Sequence, residues 1–185
     1  MTIGVSGAPG SFSEQAGRQH AKNIGELDAE IKFLISVEGV LQALEDGAID
    51  IGVFPIENSN GGIVIEAVHA MAKHVFSVEK MFEIDVHQNL LAKKGAKTSD
   101  INKIVSHDQA LKQCRMYIKR EWPGVEIEEY ADTAKAAADL ASGVLPATTA
   151  VVAARSCAEI YDLELLEESI QDLKYNYTMF VVAKK

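Results

Sequence analysis

Short apolar runs alternate with amphipathic ones through the first third of the chain, and this alternation constrains the fold more than any other feature. Residues 2–6 read as a buried strand, broken by Gly7-Ala8-Pro9-Gly10. Ser11 then stands where a helix N-cap belongs, with Glu14 three residues on as its capping-box partner, and Ala16, Ala21 and Ile24 fall at inward positions. Ile31–Ile35 reads as a second strand. A helix opened by Ser36 follows, with Val40, Leu41 and Leu44 at core spacing and Gly47 as its end. Ile49–Phe54 is a near-continuous apolar run, the pattern of a parallel strand covered on both faces. This β-α-β-α-β order predicts an α/β fold with right-handed crossovers.

At the carboxyl end of that third strand lies Pro55-Ile56-Glu57-Asn58-Ser59-Asn60-Gly61-Gly62, just before a helical run over residues 63–73. It is rich in donors and acceptors, and this edge of an open α/β sheet is where ligands bind. Two extended segments follow, Val75–Met81 and Asp85–Lys93, and then a small polar stretch, Gly95–Asp100, with the character of a linker. Beyond it a second α/β series begins: strand Ile104–Ser106, helix Gln109 to about Arg120, strand Val125–Tyr130, helix Thr133–Ser142 between Asp132 and Gly143, strand Thr149–Val152 and helix Ala153–Tyr161. Asn176-Tyr177-Thr178 leads into a last apolar strand, Phe180–Lys184, which must be tied into an earlier sheet to avoid fraying. Pairing with Asn89–Lys93 is the expectation. The resulting architecture has two lobes crossed twice by the chain, residues 1–95 with 175–185 and residues 96–174, with a ligand cleft between them.

Eighteen Lys and Arg against 27 Asp and Glu give a net charge of −9, which argues against a nucleic-acid face and an anionic membrane surface. No apolar run approaches a membrane span, and the opening residues carry no basic leader, so a cytoplasmic location is expected. Cys114 and Cys157 read as two buried free thiols. The five histidines form no HExxH pair, and no nucleotide or hydrolase motif is present. Neither a metal nor a cofactor is expected.

Gly7-x-x-Gly10-Ser11-Phe12-Ser13-Glu14, Pro55-Ile56-Glu57-Asn58-Ser59, Ser106-His107-x-Gln109-Ala110-Leu111, Ile170-Gln171-Asp172 and Asn176-Tyr177-Thr178-x-Phe180 occur in an order and spacing that resemble the prephenate dehydratases. The resemblance covers essentially the whole chain. It implies a two-lobed, periplasmic-binding-protein-like (type II) fold and conversion of prephenate to phenylpyruvate on the way to phenylalanine. It also implies that Thr178 is the catalytic hydroxyl, and that Ser11, Phe12, Ser13, Glu57, Asn58, Ser59, Ser106, His107, Gln109, Asn176 and Phe180 surround the substrate, although the ring of Phe180 is better suited to packing. A threonine hydroxyl is a weak acid, so the role expected of it is that of a hydrogen-bond donor or proton relay.

Two departures from the family pattern stand out. Met179 occupies the place of an arginine, whose bidentate charge methionine does not imitate. The chain also has no room for the phenylalanine-binding ACT domain or the chorismate mutase that family members carry, so feedback inhibition by that route is not expected. The resemblance leaves room for a homo-oligomer and for a separate chorismate mutase or ACT-domain protein as partner. The alternatives to prephenate dehydration are a related cyclohexadienyl-acid dehydratase or decarboxylase, and a non-catalytic small-molecule-binding module of the same fold.

Overall fold

The computed structural model describes residues 1–185 and divides into two compact units, one made of Met1–Ala8, Phe12–Asp85 and Tyr177–Lys185, the other of Pro9–Ser11 and Val86–Asn176. The division thus falls at Asp85 and Asn176, earlier than residue 95 for the outward crossing, and the Pro9–Ser11 turn goes with the second unit. No helix is long and apolar enough to cross a membrane.

In the first unit, β1 (Thr2–Val5), β2 (Glu30–Phe33) and β3 (Ile51–Asn58) are parallel, joined by α1 (Phe12–Asn23) and α2 (Val37–Glu45). Beyond these come a short β4 (Gly62–Ile63), α3 (Ile65–Met71), β5 (Ser77–Asp85) and the last strand, β11 (Tyr177–Lys184). The strand order is β2-β1-β3-β11-β5, and β11 runs antiparallel to both neighbours. The sheet is therefore mixed. The expected pairing of the last strand with Asn89–Lys93 is not formed: that segment belongs to the other sheet, and β5 takes its place.

Alternation along the strands fixes which residues meet which helices. Ile3 and Val5 face α1, where a Cβ on Gly17 would come within 2.7 Å of Val5 Cγ1, so only glycine permits this close helix–sheet contact. On the other face, Val40, Leu41 and Leu44 of α2 pack with Ile49, Phe54, Val181 and Ala183. Leu41 is fully buried, and truncation there to alanine would cost about 2–5 kcal/mol. Ser36 caps α2 by accepting from Gly39 N at 3.0 Å. Ile24 departs from the sequence expectation: α1 ends at Asn23, and Ile24 is 45% exposed.

β3 also runs further than the sequence suggested. The strand expected from the apolar run ends at Phe54, yet Pro55 lies inside the strand at a β-bulge, where Phe180 pairs with Pro55 but Met179 pairs with Glu57. A bulge is one of the few places where a strand tolerates the missing N–H. Behind this sheet His74 is nearly buried, its ring nitrogens 2.8 Å from Glu45 and 3.2 Å from Glu38.

The second unit holds β6 (Asn89–Lys93), β7 (Lys103–Ser106), α4 (Asp108–Gln113), α5 (Arg115–Glu121), β8 (Glu126–Glu129), α6 (Thr133–Ser142), β9 (Thr149–Ala153), α7 (Arg155–Ile160) and β10 (Leu163–Glu167). Its sheet order is β10-β6-β9-β7-β8, with β7, β8 and β9 parallel and β6 antiparallel to β9 and β10. Asp132 caps α6, accepting from Lys135 N at 2.8 Å, and Gly143 closes it. The single helix expected over 109–120 is two, broken at Cys114. The cause is Asp172, whose carboxylate accepts from Met116 N and Tyr117 N, both at 2.8 Å, and so caps α5 from a distant segment. Cys114 and Cys157 are free and buried.

Candidate active site

Thr178 stands opposite Asn58 in the β3–β11 ladder, so the two side chains share a face. Asn58 is 9% exposed and its carboxamide is fixed at both ends. Its Oδ1 accepts from Asn60 N at 2.9 Å and Gly61 N at 2.8 Å, which commits Nδ2 to donating. That nitrogen bonds Thr178 Oγ1 at 2.9 Å and Tyr177 O at 3.2 Å. An oxygen that already accepts from Asn58 is left to use its own hydrogen elsewhere. The backbone turn after β3 thus sets Thr178 up as a donor. Ser59 and Tyr177 lock the strand mouth reciprocally: Ser59 N donates to Tyr177 O at 2.8 Å, and Tyr177 N donates to Ser59 Oγ at 3.0 Å.

Alternation puts Phe180 on the same face as Thr178 and Met179 on the other. Phe180 is 1% exposed and stacks on Phe82 at 6.3 Å, which in turn stacks on His20 of α1 at 6.4 Å. The ring expected among the substrate contacts is thus packed in the core on the Thr178 face. Glu57 lies on the other face. It pairs with Met179, away from the Asn58–Thr178 face, and Met179's other neighbour is Glu83. In the same unit Ser13 is buried and donates to Ser6 O at 3.1 Å. Phe12 opens α1 and is partly exposed.

The second unit carries the other expected residues. His107 is the exposed N-cap of α4, its Nδ1 accepting from Gln109 N at 3.3 Å. In the neutral ring this puts the proton on Nε2, which presents a donor to solvent. Gln109 is exposed beside it. Ser106 is fully buried and donates to Val152 O at 2.6 Å, so its hydroxyl joins β7 to β9 rather than meeting a ligand. Asn176 is likewise fully buried, its Nδ2 donating to Gln113 Oε1 at 2.8 Å. Gln88 Nε2 donates to the same oxygen at 3.0 Å. Gln113 was missed in the sequence, although it follows Gln109 by one helical turn. Ser11 is 5% exposed, in the turn before α1.

The Ile170-Gln171-Asp172 stretch is structural. Ile170 N donates to Gln88 O at 2.8 Å, Gln171 Oε1 accepts from Gln88 N at 3.0 Å, and Asp172 caps α5. No group of three or more His, Cys, Asp or Glu side chains is arranged to hold a metal ion.

Two mixed α/β sheets of this kind define the periplasmic-binding-protein-like class. A putative methionine-binding lipoprotein from Bacillus subtilis superposes with a TM-score of 0.55 at 12% identity, covering 100% of this chain and 83% of that one, a likeness of fold alone. Within the class, the chain belongs to the prephenate dehydratase family, whose pattern it matches over residues 3–185. It is 34% identical over 182 residues to arogenate dehydratase 1 of Petunia hybrida, covering 98% of this chain and 42% of that protein. A prephenate dehydratase from Arthrobacter aurescens in complex with L-Phe superposes with a TM-score of 0.90 at 27% identity, covering 100% of this chain and 60% of that one. The chain thus spans less than half the length of the Petunia relative.

Proposed function

We propose that the chain catalyses the decarboxylative dehydration of prephenate to phenylpyruvate. The observation that carries this reading is the bond from Asn58 Nδ2 to Thr178 Oγ1, which turns the threonine hydrogen outward as a donor. In the reaction the ring C–carboxylate bond breaks and CO₂ leaves. Its electron pair enters the ring, the C–OH bond across the ring breaks, and the departing oxygen takes a proton to leave as water. One proton is consumed. Aromatisation supplies the driving force, so placing a donor on the departing hydroxyl and orienting the ring are the main demands. Thr178 provides that donor, acting as a preorganised dipole or relaying a proton from water.

Ser11 and Ser59 of the loops and Ser13 in the first turn of α1, with His107 Nε2–H and Gln109 at the head of α4, take the substrate-binding role. The two units act as the lobes of one dehydratase domain. A homo-oligomer, and a separate chorismate mutase or ACT-domain partner, remain part of the proposal.

Identity to an arogenate dehydratase favours a second reading, in which the substrate carries an amino group in place of the side-chain ketone. Purified protein incubated with prephenate, and separately with arogenate, distinguishes the two. Phenylpyruvate and CO₂ in equal amounts from prephenate support the first reading. Faster turnover of arogenate to phenylalanine supports the second. CO₂ without phenylpyruvate, or binding without turnover, would exclude prephenate dehydration.

A further inference from the structure

Pro9, Gly10 and Ser11 are grouped with the second unit, whereas Ala8 and Phe12 on either side belong to the first. Side chains on α7 and just beyond it account for this. Ser156 Oγ donates to Gly10 O at 2.8 Å, Cys157 Sγ donates to the same oxygen at 3.4 Å, and the Tyr161 hydroxyl donates to Pro9 O at 2.7 Å. Gly10 has φ +88, and a Cβ there would lie 2.8 Å from Cys157 Sγ, so the turn sits too close to the helix for any other residue. No peptide bond in the chain is cis. In a trans peptide the C=O and N–H point in opposite directions, so tying the Pro9 and Gly10 carbonyls toward α7 turns the amides of Gly10 and Ser11 away from it. Two successive peptide planes and the start of the Ser11 side chain are thereby set by residues nearly 150 positions along the chain.

We propose that Ser156, Cys157 and Tyr161 are positioning residues for substrate binding, which clamp the Pro9–Ser11 turn so that Ser11 is presented to a substrate carboxylate. The inference rests on the reading of Ser11 as a substrate contact. A strap that served stability alone would change the melting temperature and leave substrate affinity untouched. The clamp acts before chemistry, so its loss raises KM and spares kcat.

The test is steady-state kinetics on prephenate with the double variant Ser156→Ala/Tyr161→Phe, each single variant, and Ser156→Thr, which keeps the hydroxyl. Thermal unfolding of each variant is followed alongside. The double variant is expected to raise KM by about tenfold, equivalent to about 1.4 kcal/mol, with kcat within about twofold. Ser156→Thr is expected to restore KM to near the wild-type value. An unchanged KM in the folded double variant, with wild type active, overturns the clamp and leaves the dehydratase reading standing. A fall in melting temperature and in apparent kcat with KM unchanged overturns it in favour of a stability strap. A wild type that neither binds nor turns over prephenate overturns the dehydratase reading and the clamp with it.

Discussion

Asn58 Nδ2 donates to Thr178 Oγ1 at 2.9 Å across 120 residues of sequence, and the direction of that bond decides what the threonine can do. Asn58→Asp keeps the shape but supplies only acceptors, so it would draw the threonine hydrogen inward. Loss of one preorganised donor costs about 10²–10³ in kcat. Both Asn58→Asp and Thr178→Ala are expected to lower kcat on prephenate by that order, with KM within a few-fold. Equal losses in binding and turnover would show that Thr178 is a ligand contact only.

Met179 lies on the face opposite Thr178, between Glu57 and Glu83 on the two neighbouring strands. An arginine there would sit between two carboxylates, and not beside the Thr178 hydroxyl. Met179→Arg is therefore expected to leave kcat within about twofold. Cross-strand pairs of opposite charge contribute roughly 0.2–1 kcal/mol each, so calorimetry should show a melting temperature raised by a few degrees. A large gain in kcat would mean that position 179 acts on the chemistry directly.

His74 faces carboxylates through both ring nitrogens, and its pKa is raised from 6.5, first by the bond to Glu45. A raised histidine pKa gives stability that is fully present below 6.5 and is lost as pH rises through the folded value. Glu38 and Glu45 are lowered from 4.5, the first mainly by its bond to Lys73 and the second mainly by Val75 N, so their share is present above 4.5 and lost on acidification. The melting-temperature difference between wild type and His74→Gln should be largest between these two limits and shrink on either side. His20 is lowered by burial and works in the opposite sense, but it cancels in the difference. A difference that does not vary with pH would refute the charged-imidazole assignment.

Ile35 has φ +65, and Ser36 N donates to Leu34 O at 2.7 Å around it, which makes a γ-turn of the rare, strained hand. The side chain is 62% exposed, so little packing offsets a left-handed β-branched residue. Ile35→Gly is expected to stabilise the protein by about 1 kcal/mol in urea titration. Destabilisation would show that the isoleucine side chain holds the turn by contacts of its own.

Periodicity carried most of the secondary structure, because apolar spacing reports which face of an element is buried. Asp132 and Gly143 marked the ends of α6 correctly because both act locally. The break at Cys114 could not be read in this way, since the capping carboxylate of Asp172 comes from a segment that adjacent residues do not announce. The last strand's partner was misjudged for a similar reason: β5 and β6 are both extended and adjacent in sequence, and nothing local says which sheet each joins. Among the expected site residues, Asn58 bonds Thr178 and Ser59 bonds Tyr177 in the first unit, and His107 caps α4 beside Gln109 in the second. Ser106 and Phe180 are buried. A serine tied to Val152 O and a buried phenylalanine look the same in a motif as residues that meet a ligand.

The position of β11 between β3 and β5 also bears on how the molecule is made. Neither neighbour can complete its ladder until the whole of Val86–Asn176 has been synthesised. Without β11, the parallel fragment β2-β1-β3 would leave an unpaired apolar edge at Ile51–Phe54. The second unit, continuous apart from three residues, can assemble first and shorten the loop that the final strand must close. The strand that carries Thr178 is also the one that covers this edge, so the hydroxyl proposed for catalysis and the protection of the edge arrive in a single pairing event.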